Sequence, residues 1–415
     1  MTGLSIANNF DPAKLARLAD GLVVAVAVSL PWSTSATAIL VALWLFVLVP
    51  TLRWADMRRE LATPAGGLPV LLVALGLAGM LWADVTVLAR WKGLDSFLKL
   101  LVIPLLFVQF RRSGRVVWIF SGYLASCVVL LLVSTVVQFF HPFSLSLQWN
   151  GALVKNAATQ SGEFVSCIFG LVFLASEALA RRRWLWLLGF VTVILAMLAN
   201  VLYVATSRTA LVVALVLGVL FAARKLNAKG IALVFSGAVL VGITGWSSSP
   251  YLRERIKEIW IDLQRYEAAD TFTSSGERLV FWKKSIEFIR QSPVIGHGTG
   301  SIHALFEKSA IAQTGAAGEA TANPHNQTLV VGIQLGLVGI TVLWAMWIAH
   351  LLLFRGNGLP EWIGLVVVVQ NIVGSLFNSH LFDFVQGWVY VIGVGVAGGI
   401  AMKSSRLEGT KQESV

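Results

Sequence analysis

Long runs of apolar residues, separated by short polar loops, fill most of this sequence and set the strongest limit on its fold. The chain has 415 residues, of which 57% are hydrophobic and 13% are charged, and its mean hydropathy is +0.77. A water-soluble domain of this size does not carry such a composition. Each run has roughly 17 to 25 residues, the length that an α-helix needs to cross a bilayer. The sequence therefore predicts a polytopic membrane protein.

The apolar runs predict an all-α protein with about twelve transmembrane helices in one membrane-embedded domain, residues 1–415. The strands of a membrane β-barrel would be shorter and would alternate in hydrophobicity. The first run has the layout of a signal peptide, but a second run follows directly, so we expect it to be retained. The predicted spans are 18–34, 35–52, 67–83, 94–110, 116–139, 162–179, 184–203, 209–223, 228–246, 326–354, 360–378 and 386–402.

Lysine and arginine residues in the short loops indicate the orientation. If the N-terminus is cytoplasmic, 18 of them lie in cytoplasmic loops and tails, and 4 lie in the short loops opposite. The positive-inside rule then places both termini in the cytoplasm. The net charge of +11 matches anionic lipid headgroups, so membrane lipids are expected partners and nucleic acid is not.

One loop, residues 247–322, is much longer than the others and lies opposite the cytoplasm. Apolar residues recur at three- and four-residue steps in 251–268 and in 276–293, so we expect two amphipathic helices over the bundle. A glycine-rich turn, PVIGHGTGS at 293–301, follows them. The loop holds nine basic and nine acidic residues, so an anion site there requires particular arginines.

Several motifs of nucleotide and metal chemistry are missing from the sequence. There is no GxxxxGK[ST] phosphate loop, no GxGxxG after a strand, no paired-aspartate metal motif and no HExxH helix. Cys127 and Cys167 lie inside predicted spans and argue for neither a disulfide nor a metal cluster. We therefore expect no cofactor and no metal. An enzyme whose largest exposed loop faces a compartment without ATP must use a substrate that is already activated.

The segment NPHNQTLVVGIQLGLVG, residues 323–339, places a histidine at the mouth of an apolar helix. Asn323 suits the N-cap and Pro324 the first helical position, which predicts His325 in the first turn. A helix N-terminus disfavours the imidazolium, so we expect a neutral ring that can accept a proton. Three glycines share the face of the histidine and permit the close approach of a neighbouring helix. These are Gly332, Gly336 and Gly339.

The eighth predicted span begins in a similar way. Thr206 or Ser207 can cap the helix, and Arg208 lies in its first turn. An anion bound there would meet the guanidinium and the helix N-terminus together, although an arginine at a span end also reaches lipid headgroups. Arg208 and His325 on one membrane face would make a phosphate site with a base beside it.

These residues resemble the O-antigen ligase family, bacterial enzymes that join O-antigen to the lipid A core. The resemblance rests on His325-Asn326, nine further residues, Gly336, two residues and Gly339, and it extends over roughly residues 200–400. Wzy-type O-antigen polymerases and protein O-oligosaccharyltransferases share the same domain. Three other segments carry the resemblance: SRTA at 207–210, RL with a tryptophan at 278–282, and PVIGHGTGS at 293–301.

The resemblance implies a GT-C-like glycosyltransferase with its active site at the periplasmic face of the inner membrane. The donor would be an undecaprenyl-diphosphate-linked O-antigen and the acceptor the lipid A-core oligosaccharide. Transfer would invert the anomeric configuration and need no metal. His325, Arg208 and Arg278 match the family's catalytic histidine and arginines. Arg265 is a second candidate arginine in the long loop.

Several alternatives stay open from the sequence. Asn326 and Asp383 are candidate substrate contacts, and Asp383 could instead orient His325. His325 either takes the proton of the acceptor hydroxyl or bonds to the diphosphate. The rival functions are a Wzy-type polymerase, a protein O-oligosaccharyltransferase and, in another class, a twelve-span transporter or flippase. The sequence shows neither internal repeats nor the paired broken helices typical of transporters.

Overall fold

The computed structural model of the chain describes residues 11–140, 154–250, 253–254, 257, 274–311, 313 and 315–412. These residues form α-helices and short 3-10 turns, and no β-strand occurs among them. The helices are α1 (Pro12–Ser29), α2 (Thr34–Leu48), α3 (Trp54–Leu61), α4 (Pro64–Gly79), α5 (Val87–Leu98), α6 (Val102–Arg112), α7 (Val116–Phe140), α8 (Ala157–Ala180), α9 (Trp184–Tyr203), α10 (Arg208–Lys225), α11 (Ala228–Ser248), α12 (Ser274–Gln291), α13 (Ile302–Ala310), α14 (Gln327–Leu353), α15 (Leu359–Ser375) and α16 (Phe384–Gln412).

Eight helical stretches in the described part of the chain are long and apolar enough to cross a membrane. The pair α3 and α4, bent by 87°, would make nine. Each predicted span contains helix, which confirms the all-α multi-pass class. The count of twelve stays a prediction, because the 18-residue helices α1 and α10 each contain three charged residues and α15 has only 17 residues. The eight are Thr34–Thr51, Val87–Arg112, Val117–Phe139, Ala157–Ala180, Trp184–Tyr203, Ala228–Ser248, Gln327–Leu353 and Phe384–Lys403.

Helix α16 packs closely along α6 in the main core of the bundle. A Cβ at Gly395 would overlap the side chain of Leu106, and one at Gly398 would overlap Phe107. Small residues let two helix backbones approach where lipid supplies no hydrophobic driving force between them. Large buried aromatic side chains from several helices belong to the same core: Trp44, Phe97, Phe164, Trp347, Trp362 and Tyr390.

The helices α12 and α13 form a second, smaller core with the beginning of α14. Phe306 is fully buried, and the rings of Phe281 and Phe288 meet it edge-on, with centroids 5.5 and 5.2 Å away. Such edge-to-face pairs add to the stability that burial provides. Helix α12 confirms a helix within 276–293, whereas 251–268 lies largely outside the described residues. The second core consists of Phe281, Phe288, Ile302, Phe306, Val330 and Ile333.

Helix α14 is interrupted at Gly336, whose φ of 61° and ψ of −156° are not helical. In a regular helix the amides of Leu337 and Val338 would bond to the carbonyls of Ile333 and Gln334. The segment 293–298 inserts at the break and supplies partners to all four groups. Leu337 N donates to Pro293 O at 2.8 Å and Val338 N to Val294 O at 3.2 Å, while His297 N donates to Ile333 O at 2.8 Å and Gly298 N to Gln334 O at 2.9 Å.

The glycines of α14 confirm the predicted close packing only in part. Gly332 lies against Ile289 of the neighbouring helix α12, as a packing face requires. Gly336 lies against the backbone at Val294, which is a turn and not a helix. The closest atoms to Gly339 are side chains of α14 itself. The prediction assumed a continuous helical period, which the inserted turn interrupts at Gly336.

Replacing Gly336 by alanine is expected to destabilise the protein by about 1–3 kcal/mol, the usual cost of a strained backbone position. Its dihedral angles lie in a region that is essentially restricted to glycine, and a Cβ would collide with the backbone of Val294. Thermal unfolding of the detergent-purified protein measures the effect. The matched control is Gly189→Ala on α9, where an added Cβ meets nothing within 4 Å. Equal Tm values for the two variants would contradict the prediction.

Candidate active site

His325 lies just before α14, in a turn that a side chain closes. Its φ is 56°, in the left-handed region that few non-glycine residues adopt. Asn323 Oδ1 accepts a hydrogen bond from His325 N at 2.9 Å, which makes an Asx turn across Pro324. Strained residues of this kind cluster at functional sites, where the surrounding contacts hold them in place.

The start of α14 differs from the prediction. Asn326 is the N-cap, and its Oδ1 accepts from Leu329 N at 3.2 Å. The prediction of Asn323 as N-cap, with His325 in the first helical turn, is therefore wrong. Both asparagines of NPHN suit a cap, but the side chain of Asn323 is occupied by the Asx turn. Asn326 Nδ2 also donates to Leu376 O at 3.2 Å.

The loop between α15 and α16, residues 376–383, supplies the other partners of this turn. Asn378 Oδ1 lies 3.0 Å from His325 Nδ1 and 3.1 Å from Asn323 Nδ2. Ser379 Oγ donates to Asn323 Oδ1 at 2.6 Å. The orientation of the imidazole is therefore set by a loop 53 residues farther along the chain.

Helix α12 contacts the same turn through Trp282. The indole Nε1 donates to Pro324 O at 3.0 Å, beside His325. Arg278 lies four residues before Trp282 and so shares its face of the helix. The positive charge of Arg278 acts on the imidazole and contributes to lowering the pKa of His325. Arg278 therefore lies near enough to His325 for its charge to act on the ring.

Arg208 is the first residue of α10, as predicted, and Ser207 is the N-cap, with its Oγ accepting from Ala210 N at 3.4 Å. Burial lowers the pKa of Arg278, the charge of Arg208 lowers it further, and Glu277 opposes both effects. Arg208 therefore lies close enough to Arg278 for the two charges to act on each other. The structure brings Arg208, Arg278 and His325 into one cluster near the N-terminal ends of three helices.

The imidazole of His325 is mostly neutral at pH 7. Burial lowers its pKa from the ordinary value of 6.5, and the charge of Arg278 lowers it further. The hydrogen bond to Asn378 and the charge of Glu319 raise the pKa without reversing the shift. The lowered pKa of His325 agrees with the neutral ring that the sequence predicted. The main cause is burial, whereas the prediction invoked the helix N-terminus.

Asp383 lies at the start of α16, where its Oδ1 accepts from Gln386 N at 3.1 Å. Its backbone oxygen accepts from Lys99 Nζ at 2.8 Å. With Lys92 it lines a cleft of about 620 Å³ between α5, α13, α14 and the 376–383 loop. The residue that the structure places against the imidazole is Asn378, so Asp383 is not the group that orients the ring.

The sequence did not predict the contacts that two residues make with the His325 turn. Asn378 has only the polar NSH run between two apolar stretches as a signal, and that run does not name its partner. Trp282 was identified only as part of the resemblance. Arg265, the second candidate arginine of the long loop, lies outside the described residues. Within the described ranges, no three His, Cys, Asp or Glu side chains are grouped so that they could hold a metal ion.

Comparison with known proteins covers the same part of the chain. Residues 193–344 match the family described as O-antigen ligase (Wzy_C), and the match contains Arg208, Arg278 and His325. An uncharacterized protein of Haemophilus influenzae is 24% identical over 220 residues, which are 51% of this chain and 54% of that protein. The chain thus spans about half the length of that relative. The described residues therefore form a helical protein with several helices that could span a membrane, and residues 193–344 are similar to the O-antigen ligase family.

Proposed function

We propose that the protein is an O-antigen ligase. It would transfer an O-antigen glycan from undecaprenyl diphosphate to a sugar hydroxyl of the lipid A-core oligosaccharide. The observation that carries the proposal is the cluster of Arg208, Arg278 and His325 inside the matched domain. Two guanidinium groups beside a neutral imidazole suit a reaction in which a diphosphate leaves and a hydroxyl loses its proton.

The proposed reaction is a single displacement. The acceptor oxygen attacks the anomeric carbon from the face opposite the diphosphate, and the bond between that carbon and the diphosphate oxygen breaks. The anomeric configuration therefore inverts. His325 takes the hydroxyl proton as the new bond forms. Arg208, Arg278 and the N-terminal amides of α10 stabilise the negative charge that gathers on the leaving diphosphate, so no metal is required.

Three further residues complete the proposed site. Arg265 is a second diphosphate contact from the long loop. Asp383, at the edge of the cleft, contacts the glycan. Both ends of the Asn326 amide already bond within the protein, to Leu329 N and Leu376 O. We therefore expect Asn326 to act on substrate by holding the turn that carries His325.

We place this site at the periplasmic face of the bacterial inner membrane, with both termini in the cytoplasm. The support is the asymmetry of lysine and arginine between the two sets of short loops. The outer loop 247–322 would then carry Arg278 over the membrane surface. A diphosphate-linked donor suits this compartment, because the donor bond supplies the energy that ATP would supply in the cytoplasm.

A Wzy-type polymerase is the second candidate, because it shares the matched domain and would use the same cluster to extend the glycan. Lipopolysaccharide from a deletion strain separates the two functions. A ligase mutant shows bare core, whereas a polymerase mutant still shows core with one repeat. Protein O-oligosaccharyltransfer predicts a glycosylated protein in place of glycosylated lipid. A flippase predicts no new glycosidic bond.

The direct test uses purified protein in detergent with a lipid-diphosphate glycan and lipid A core, without ATP and with a chelator of divalent metals. The proposal expects ligated product with inverted anomeric configuration. Product that forms only with ATP or added metal, or the absence of product from a protein that still binds both lipids, would overturn it.

A further inference from the structure

The hydrogen bonds around His325 establish which atoms of two asparagine amides face it. The starting point is the backbone amide of His325, which is always a donor. It lies 2.9 Å from the Asn323 side chain, so the atom at that position is the oxygen, Oδ1. The Ser379 hydroxyl bonds to the same oxygen at 2.6 Å. Asn323 therefore turns its Nδ2 toward Asn378, at 3.1 Å.

This orientation decides the protonation of the ring. An amide NH₂ group only donates, so Asn378 must present its oxygen to Asn323. The same Asn378 oxygen lies 3.0 Å from His325 Nδ1. A carbonyl oxygen only accepts, so Nδ1 carries a proton. In a neutral imidazole the other nitrogen, Nε2, then keeps its lone pair.

We propose that Asn378 is a positioning residue that holds His325 in the Nδ1–H tautomer and thereby makes Nε2 the atom that takes the acceptor's proton. The inference rests on the proposed function and names the atom that performs its proton transfer. Asn378 acts only through the ring. An imidazole with its proton on Nε2 would present no lone pair to the acceptor hydroxyl, and a wrong tautomer in a comparable site costs about 10⁴-fold in kcat.

The tautomer also separates the two roles that the sequence left open for His325. A neutral ring that bonds to the diphosphate must offer it an N–H group, because diphosphate oxygens are acceptors. The N–H of His325 is already directed to Asn378 Oδ1. The nitrogen that remains has a lone pair, which suits an incoming hydroxyl proton and not a phosphate oxygen. The contacts therefore favour His325 as the general base over His325 as a ligand of the diphosphate.

The first test reads the tautomer without substrate. The sequence has six histidines, so the resonances of His325 in ¹⁵N-histidine-labelled protein are assigned by comparison with His325→Gln. Near pH 7.5 we expect a protonated Nδ1 and an unprotonated Nε2. A protonated Nε2 in the natural protein would overturn the inference, whatever the enzyme's activity. This measurement needs no variant at Asn378.

The second test compares Asn378→Asp with Asn378→Leu. Aspartate keeps the acceptor oxygen, so we expect the Nδ1–H tautomer to persist and kcat, at pH values above the acid limb, to stay within about fivefold of the natural protein. Leucine removes the acceptor, so we expect kcat to fall about 10²-fold with little change in KM. Equal defects in the two variants, or a leucine variant with normal kcat, would overturn the proposal. Asn357→Leu, at an exposed position in the loop between α14 and α15, is the matched control.

The aspartate variant gives a further signature in its pH profile. The charged groups that act on His325 are Arg278, from α12, and Glu319, from the segment before the turn. A carboxylate at position 378 adds negative charge beside the ring, so it raises the pKa of His325. The acid limb of kcat/KM should therefore move to higher pH. A limb that stays at the same pH would contradict the contact between residue 378 and the His325 ring. If the tautomer is as inferred but no glycan is transferred, the proposed function is wrong. The inference that Asn378 positions the ring would still hold.

Discussion

Replacing His325 by glutamine is expected to lower kcat for glycan transfer by about 10²- to 10⁴-fold, the usual contribution of a general base. Glutamine can still form hydrogen bonds but cannot take a proton at neutral pH. Binding of the donor lipid should be nearly unchanged, because the arginines and not the imidazole hold its diphosphate in the proposed mechanism. Single-turnover transfer by purified protein, alongside a donor-binding assay, measures both quantities. A variant that keeps kcat within fivefold of the natural protein would exclude His325 as the base.

The pH profile of the natural enzyme provides a check on the same residue. Burial and the charge of Arg278 lower the pKa of His325 below 6.5. The base is active when it is neutral, so kcat/KM should stay level through pH 7 and fall only below the ordinary range of histidine. A profile that falls on the acid side with an inflection above pH 7 would mean that a different group titrates.

Replacing Arg278 by glutamine is expected to lower kcat by about 10²- to 10³-fold, as the loss of a group that stabilises transition-state charge does in other enzymes. It should also raise the pKa of His325, because the charge of Arg278 contributes to lowering it. The acid limb of kcat/KM would therefore move to higher pH. Lysine at this position keeps the charge but loses the planar, two-pronged contact. Arg278→Lys should therefore keep the acid limb close to its natural pH while kcat stays lowered.

The matched control for this prediction is Arg290→Gln. Arg290 lies on the same helix, α12, is exposed, and pairs with Glu287 at 4.0 Å. It should show neither the loss of rate nor the shift in pH. Arg208→Gln combined with Arg278→Gln gives a second check. If both arginines stabilise one diphosphate, the double variant should lose less than the sum of the single losses in activation free energy. Strict additivity would argue for two separate sites.

The sequence predicted the parts of this structure that depend on local physics. Span length and hydropathy are local, so each predicted apolar run contains helix. The placement of Arg208 is also local, since Ser207 caps a helix that begins at the next residue. The periodicity of 276–293 predicted a helix, and α12 occupies Ser274–Gln291, but its buried face is formed by Phe281 and Phe288 whereas Ile286 is exposed.

The parts that were missed depend on contacts between distant segments. NPHN holds two residues that can cap a helix, and the choice of Asn326 follows from the use of Asn323 by the turn and by Ser379. No periodicity indicates that the 293–298 segment enters α14 at Gly336. The partner of the imidazole, Asn378, comes from a loop that only the packed bundle brings near. Local patterns thus indicated the candidate side chains but not the residues that hold them in place.

The 293–298 segment forms hydrogen bonds with residues on both sides of the break at Gly336, so it holds the two parts of α14 together. The piece before the break, residues 327–335, shares a core with α12 and α13 and exchanges backbone hydrogen bonds with the 293–298 segment. Through Trp282 and Pro324, His325 is tied to that same assembly, which also carries Arg278. Arg208 belongs instead to the membrane bundle, at the start of α10. The candidate site therefore draws on two separately packed regions, the small core for His325 and Arg278 and the membrane bundle for Arg208.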